Sequence, residues 1–520
     1  MPPSIAELAG QLICPVLPPV SRAEVSRLAR SLDDNHWGGF IVFRGGPDLG
    51  EILAELQARS ERPLLVAGDI EFGAGQQLAG ATVLPPFMAL GAIDSEDAAY
   101  EAGRITAVEA RARGVNWAFA PVADVNVNPR NPIINIRSFG GEPGRVGRLA
   151  AAWIRGAQEH GLLATAKHFP GHGDTAVDSH SRLPTILADR PRLDAVELAP
   201  FRECIAAGVG AVMTAHLAVP ALDGSGVPAT LSKAIMTDLL RHEMGFAGLV
   251  VTDALIMGGI TATFGEAEAV AAALDAGCDV LLMPRDPFSA RQAILTAVER
   301  GLVSEARLRE AFGRLEAARR RLDLDRDRSP APGVLDTAAN RTFARELAER
   351  AMTLVRGADH LPMGPGAFFV IVDDDDDAVV RQAPGSEFAG MLHGPLAEEL
   401  DRRQISWALA RPGLSPDARA DIMARARQAT TVGVGIFALV KAWKDRSDLS
   451  DEMAQLVRDL ADGPAPVVAV SFNSPYLVSQ FPAVAGYACA YGPLEDSQRA
   501  AIRALCGEIP FAGRLPVQLS

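Results

Sequence analysis

Fourteen consecutive residues, Lys167 to His180, gather a lysine, three histidines and two aspartates among glycines and a proline. Ammonium, imidazole and carboxylate groups are the side chains that transfer protons and steady charge. The residues just before them, Gly161–Ala166, carry no charge and read as a short buried strand. A dry strand that ends in a charged loop is how an α/β enzyme builds an active site. A second uncharged run, Leu249–Thr252, ends in Asp253. A carboxylate there is rigidly placed and partly desolvated, which suits a nucleophile; capping the next helix is the competing reading. Asp178 lies two residues before His180 and can accept a hydrogen bond from its imidazole, fixing the tautomer. Imidazole, with an intrinsic pKa of about 6.5, transfers protons well near neutrality. Taken alone, the pair could equally be a loop cap and a surface histidine. Lys167 closes a buried strand and so demands a carboxylate or a ligand as partner. A metal reading of His168, His172 and His180 with Asp174 and Asp178 has loose spacings, and Lys167 would repel a cation. No metal is expected there.

These residues need elements to hold them. Strands are expected at Gln11–Leu17, Gly39–Phe43, Leu64–Gly68, Trp117–Pro121, Leu163–Lys167, Ala211–Thr214, Leu249–Thr252 and Val280–Met283. Helical patterns lie between them, among them Ser95–Arg113, Arg145–Glu159, Leu193–Ala207 and Lys233–Met244. Uncharged strands alternating with helices imply a parallel sheet covered on both faces. Eight such units fit a (β/α)8 TIM-type barrel; an open doubly wound sheet is the alternative. Asp69, Asp124, Lys167-His168, His216 and Asp253 all follow strands, so a barrel would converge them on one face. A helix at Ser304–Leu322 leads into a charged, proline-containing linker. The expected division is a barrel over 1–322, a linker over 323–339 and a second α/β domain over 340–520. In that domain strands are expected at Ala367–Val372, Thr431–Phe437 and Pro466–Phe472, with helices at Asn340–Arg356 and Ser450–Asp462. The run Asp373–Asp377 reads as a solvated strand end rather than a metal loop.

The chain has 520 residues, beyond the size at which one core keeps growing, which supports two domains. A formal net charge of −14 without a basic run argues against nucleic acid and anionic membranes as partners. Five scattered cysteines without a CxxC pair argue against disulfides or a zinc knuckle and fit a reducing compartment. With no signal-peptide pattern and no apolar run of spanning length, a cytoplasmic protein is expected. Oligomeric state is not legible.

The motifs also carry a resemblance. Lys167-His-Phe-Pro-Gly-His-Gly173 followed by Asp178-Ser-His180 resembles the active-site segment of glycoside hydrolase family 3, in the branch of bacterial β-N-acetylglucosaminidases. Asn131-Pro132 through Arg137-Ser-Phe-Gly140 is similar to the family's sugar-binding loop. Met213-Thr-Ala-His216, Pro228-Ala-Thr-Leu-Ser232 and Leu249-Val-Val-Thr-Asp253-Ala-Leu255 match in the family's order, covering roughly residues 10 to 320. The second half resembles the small α/β sandwich domain of the longer members.

The resemblance implies a barrel followed by that sandwich, and a retaining exo-β-N-acetylglucosaminidase without a cofactor. Asp253 is then the nucleophile, and His180, held by Asp178 on a mobile loop, is the acid/base where most retaining glycosidases use a second carboxyl group. Lys167, His168, Arg137 and Asp69 are expected to bind sugar hydroxyls. His216 would orient ligand or fill space, Met257 would form an apolar wall, and Asp124 would be structural. The implied substrates are peptidoglycan fragments met in recycling, or chito-oligosaccharides. One departure concerns the segment Asp69-Ile-Glu-Phe-Gly-Ala74-Gly-Gln76, where many members read Asp-Gln-Glu-Gly-Gly-Arg. The missing arginine implies a changed sugar-binding edge. A phosphorylase and a β-glucosidase are the rival enzymes, and a carbohydrate-binding protein that has lost catalysis is the rival of another class.

Overall fold

The computed structural model describes residues 2–18, 24–324, 333–374, 393–438 and 448–519. Residues 325–332 of the expected linker and Asp375–Asp377 therefore lie outside the described residues. Contacts divide the chain into two compact units. The first comprises Met1–Val83, Glu96–Val125 and Glu142–Thr337; the second comprises Leu84–Ser95, Asn126–Gly141 and Ala338–Ser520. Two short insertions from the first half thus pack with the second unit, which a single cut in the linker does not provide.

Eight short strands order the first unit: β1 (Ile13–Cys14), β2 (Gly39–Ile41), β3 (Leu65–Gly68), β4 (Trp117–Ala118), β5 (Thr165–Phe169), β6 (Ala211–Thr214), β7 (Leu249–Val251) and β8 (Leu281–Leu282). Parallel ladders join β2 to β3, β3 to β4, β5 to β6, β6 to β7, and β8 back to β1. Single bridges complete the ring: Val16 with Ile41, Trp117 with Leu163 and Val251 with Val280. The ring is a closed parallel (β/α)8 barrel, as expected. Every strand residue is buried, because helices cover the outside and side chains fill the inside. The expected helix Leu193–Ala207 is instead two, Arg190–Ala195 and Ala199–Ala206. Pro200 sits in the first turn of the second helix, where its missing N–H costs nothing.

Below the barrel, Asp279 is fully buried just before β8. Its carboxylate meets Arg241 at 2.6 Å, Arg307 at 2.8 Å and Arg314 at 3.0 Å, and accepts the Val250 N–H at 2.9 Å. Three fixed cations and a backbone donor balance one buried anion, which ties two helices, Ala234–Glu243 and Glu305–Arg321, to β7.

The second unit is a six-stranded sheet in the order β11 (Ser406–Ala410), β10 (Phe368–Asp373), β12 (Val432–Phe437), β13 (Val467–Ser471), β14 (Gly486–Cys489), β9 (Thr353–Arg356), with β9 antiparallel to β14 and the other pairings parallel. Alternate residues of β10 face opposite cores. Phe368, Val370 and Val372 pack with Met453, Val457 and Leu460, while Phe369 and Ile371 pack with Leu396, Leu400 and Leu505. That period of two makes an α/β/α sandwich. The expected helix Asn340–Arg356 stops at Ala351, and Thr353–Arg356 becomes the edge strand β9. Asp373 and Asp374 are fully buried, not solvated: Asp373 takes Arg411 Nε at 2.9 Å and Asp374 takes the Ser450 N–H at 2.7 Å. No helix among the described residues is long and apolar enough to cross a membrane.

Candidate active site

The C-terminal ends of the barrel strands bring the sequence-selected groups together. Asp253 follows β7 at the first free position after Thr252. Its backbone N–H points to Thr214 Oγ1 at 3.4 Å, and Oδ1 accepts the Ala254 N–H at 2.8 Å. Burial pushes its carboxyl pKa up, but the nearby His168, His216 and His180 and the Ala254 N–H outweigh that and hold it down at about 2. Asp253 is therefore an anion among imidazoles.

His168 ends β5. Its Nδ1 lies 2.7 Å from Asp124 Oδ2, and Asp124 Oδ1 also accepts the His172 N–H at 2.6 Å. Asp124 has no exposure. Burial alone would raise its pKa, yet His168 and the His172 N–H bring it below the usual value. Asp124 is thus the anchor that fixes His168, the structural role expected of it. His172 places Nδ1 2.9 Å from Thr175 Oγ1 and Nε2 2.9 Å from Ser179 Oγ. Burial pushes its pKa down to about 4, so it is a neutral strut across the loop.

Lys167, 1% exposed, has two carboxylate partners: Asp69 Oδ1 at 2.9 Å and Glu71 Oε1 at 2.7 Å. Glu71 is buried and was missed by the sequence reading, although it lies only two positions past Asp69 in the same turn. Gln76 orders this turn by accepting the Glu71 and Phe72 N–H groups with its Oε1, at 2.6 and 2.9 Å. The side chain near the missing arginine thus serves the backbone of the turn.

His180 stands on the following loop, its side chain 24% exposed, with Nδ1 2.7 Å from the buried Asp178 Oδ1. Asp178 Oδ1 also accepts the His180 N–H at 2.9 Å. The loop docks on the segment after Asp253: the Gly258 N–H donates to the His180 carbonyl at 2.9 Å and the Gly259 N–H to the Ser179 carbonyl at 3.0 Å. A Cβ on Gly258 would sit 2.4 Å from the Ser181 carbonyl oxygen, so only glycine permits this approach. The sequence reading missed this Gly-Gly pair, which sits just past Met257.

His216 requires a correction of emphasis. It is fully buried, with Nε2 3.1 Å from the Ala254 carbonyl and Nδ1 2.8 Å from Thr230 Oγ1. Burial lowers its pKa, which favours the neutral ring. Nε2 must then carry the proton, because a carbonyl only accepts, and Nδ1 accepts from Thr230. With both nitrogens taken by protein, His216 braces the strand end that carries Asp253 instead of contacting a sugar. Met257 is buried and precedes the short helix Gly258–Thr261. Arg137 lies on the 3-10 turn Asn135–Arg137 of the second unit and donates through Nη1 to the Ile133 carbonyl at 3.0 Å. Its role toward a sugar rests on the resemblance, not on local geometry.

A strand-end carboxylate kept anionic and an Asp–His pair tethered beside it are the equipment of glycosyl transfer to water. Residues 5–318 match the glycosyl hydrolase family 3 N-terminal domain, and the chain belongs to that family. It is 30% identical over 98% of its length to the β-N-acetylglucosaminidase/β-glucosidase of Cellulomonas fimi, covering 93% of that protein. Among solved structures, the family 3 β-N-acetylglucosaminidase of Paenibacillus sp. strain FPU-7 superposes with a TM-score of 0.88 at 33% identity over 99% of both chains. A β-glucoside phosphorylase also superposes, with a TM-score of 0.87 and 26% identity over 99% of this chain and 94% of that one.

Proposed function

We propose that this chain is a retaining exo-β-N-acetylglucosaminidase. The observation that carries the reading is the Asp178–His180 pair tethered by backbone bonds to Gly258 and Gly259, just beyond the anionic Asp253. Asp253 attacks the anomeric carbon and forms a covalent glycosyl ester. His180 gives its Nε2 proton to the departing oxygen, then takes one from the water that attacks the ester. Asp178 accepts from Nδ1–H throughout and steadies the imidazolium. Lys167, His168 and Asp69 hold the hydroxyls of the terminal sugar. The relatives' printed activities support GlcNAc as that sugar. Peptidoglycan fragments or chito-oligosaccharides in the cytoplasm are the proposed natural setting, and no cofactor is needed.

Phosphorolysis is the second reading. It draws on the phosphorylase neighbour and on chemistry: a neutral imidazole, unlike a carboxylate, does not repel an incoming phosphate. Rates on aryl β-glycosides of GlcNAc and glucose, with and without phosphate, decide the matter. A faster GlcNAc substrate, indifferent to phosphate and giving GlcNAc of retained configuration, supports the hydrolase. Phosphate dependence with a sugar 1-phosphate product overturns it in favour of the phosphorylase.

A further inference from the structure

The three connections that enter the first three barrel strands meet at a second cluster of ligating groups, at the opposite end from the strand-end site. Glu7 lies on α1 (Ile5–Gln11), His36 caps the C-terminus of α2 (Val25–Asn35), and Glu61 follows α3 (Leu49–Arg59). One ligand atom from each of the three lies within 4.8 Å of the others. Independently, Gln11 lines the same cavity with its side chain almost wholly withdrawn from water, at 6% exposure. Its Nε2 donates to the His36 carbonyl at 2.7 Å, which fixes which end of the amide is which. The remaining atom, Oε1, is buried without a hydrogen-bond partner among the described residues. A buried acceptor left unmatched costs free energy that an occupant of the cavity would recover.

The geometry points to a divalent cation held by Glu7, His36, Glu61 and Gln11 Oε1 at the bottom of the barrel. An imidazole nitrogen with oxygen donors suits a first-row ion, zinc foremost, over calcium or magnesium, which prefer all-oxygen shells. Glu7 is held in place by a capping box, its Oε2 accepting the Ser4 N–H at 2.6 Å while its own N–H donates to Ser4 Oγ at 3.2 Å. One cation already lines the cavity, Arg62, whose guanidinium lies over the Phe312 ring and 3.9 Å from Glu316. The two ligand carboxylates exceed it in charge. The bottom of a barrel is where stability rather than chemistry is built. The ion would clip three consecutive connections together, binding the folded chain and not the unfolded one.

The test uses the full chain, stripped with EDTA and returned to chelator-free buffer. Zinc chloride is titrated by calorimetry, and thermal unfolding is followed with and without it. One ion should bind saturably and raise Tm by about 2–4 °C or more. Glu61→Gln and His36→Asn, the latter retaining a residue that tolerates the left-handed cap, should each weaken binding at least tenfold and abolish the rise. Hydrolysis should survive EDTA in all three proteins, which also certifies that the variants fold. Absence of saturable binding by the wild type overturns the proposal. So does wild-type-like binding by either variant, which would place zinc elsewhere, as on the strand-end histidines.

Discussion

Two carboxylates, Asp253 half-buried and Asp279 fully buried, stand at opposite ends of the same part of the barrel. Asp253 leaves the top of β7; Asp279 accepts from Val250 of that strand near the bottom. Asp279 has three arginines, each permanently charged and donating directly to it. Asp253 has imidazoles around it and one backbone donor on its carboxylate, the Ala254 N–H. A carboxylate saturated by fixed cations is spent on holding helices. One kept anionic by rings that can gain or lose protons keeps a lone pair to offer. The kind of cation around each carboxylate, as well as its burial, separates the proposed nucleophile from the structural acid.

The comparison is broken most sharply by exchanging amides for acids. Asp253→Asn should cost several orders of magnitude in turnover with an unchanged unfolding midpoint, since the covalent route closes. Near-normal activity would remove Asp253 from the nucleophile's role. His180→Ala should slow substrates with poor leaving groups by about 10²- to 10⁴-fold and activated aryl glycosides far less. Equal losses on both would make His180 structural, and Asp178→Asn should show a weaker version of the same split. Asp279→Asn inverts the pattern: about 3–5 kcal/mol of stability should be lost in urea unfolding, because three arginines keep their burial and lose their counter-ion. The kcat of the folded fraction should hold.

The smallest effect concerns the neutral strut. The His172 pKa is lowered to about 4 from an ordinary 6.5, so the unfolded chain binds the extra proton first as pH falls. Its contribution is fully present above about pH 6.5 and fades as pH falls through 4. Wild type should lose about 2 kcal/mol from this group between pH 7 and 5. His172→Gln should show a correspondingly flatter pH profile in urea titrations; an unchanged slope would mean that the ring is not held neutral.

Much of the site was legible because it is local. Uncharged strands ending in Asp253, Lys167-His168 and Asp69 announce themselves through a change of polarity within a few residues. Asp178 and His180 are two apart in sequence and so meet without help from the fold. What stayed hidden depends on distant pairing. Glu71 reaches Lys167 across 96 positions, and the loop of His180 rests on Gly258. The strands β9, β11 and β14 also escaped notice. Two lie at sheet edges, where β11 is only partly buried and lacks an unbroken apolar signature, while β9 continues directly from a helix. His216 misled because residue type cannot reveal that both of its nitrogens are already engaged.

The tether of the His180 loop is made of peptide groups, N–H of Gly258 and Gly259 to carbonyls of His180 and Ser179. Such an attachment is indifferent to what side chains the loop carries. Positions further along it, such as the exposed Leu187, can change in type without breaking these bonds. The two glycines, where a Cβ would strike the loop or His216, are where such change must stop.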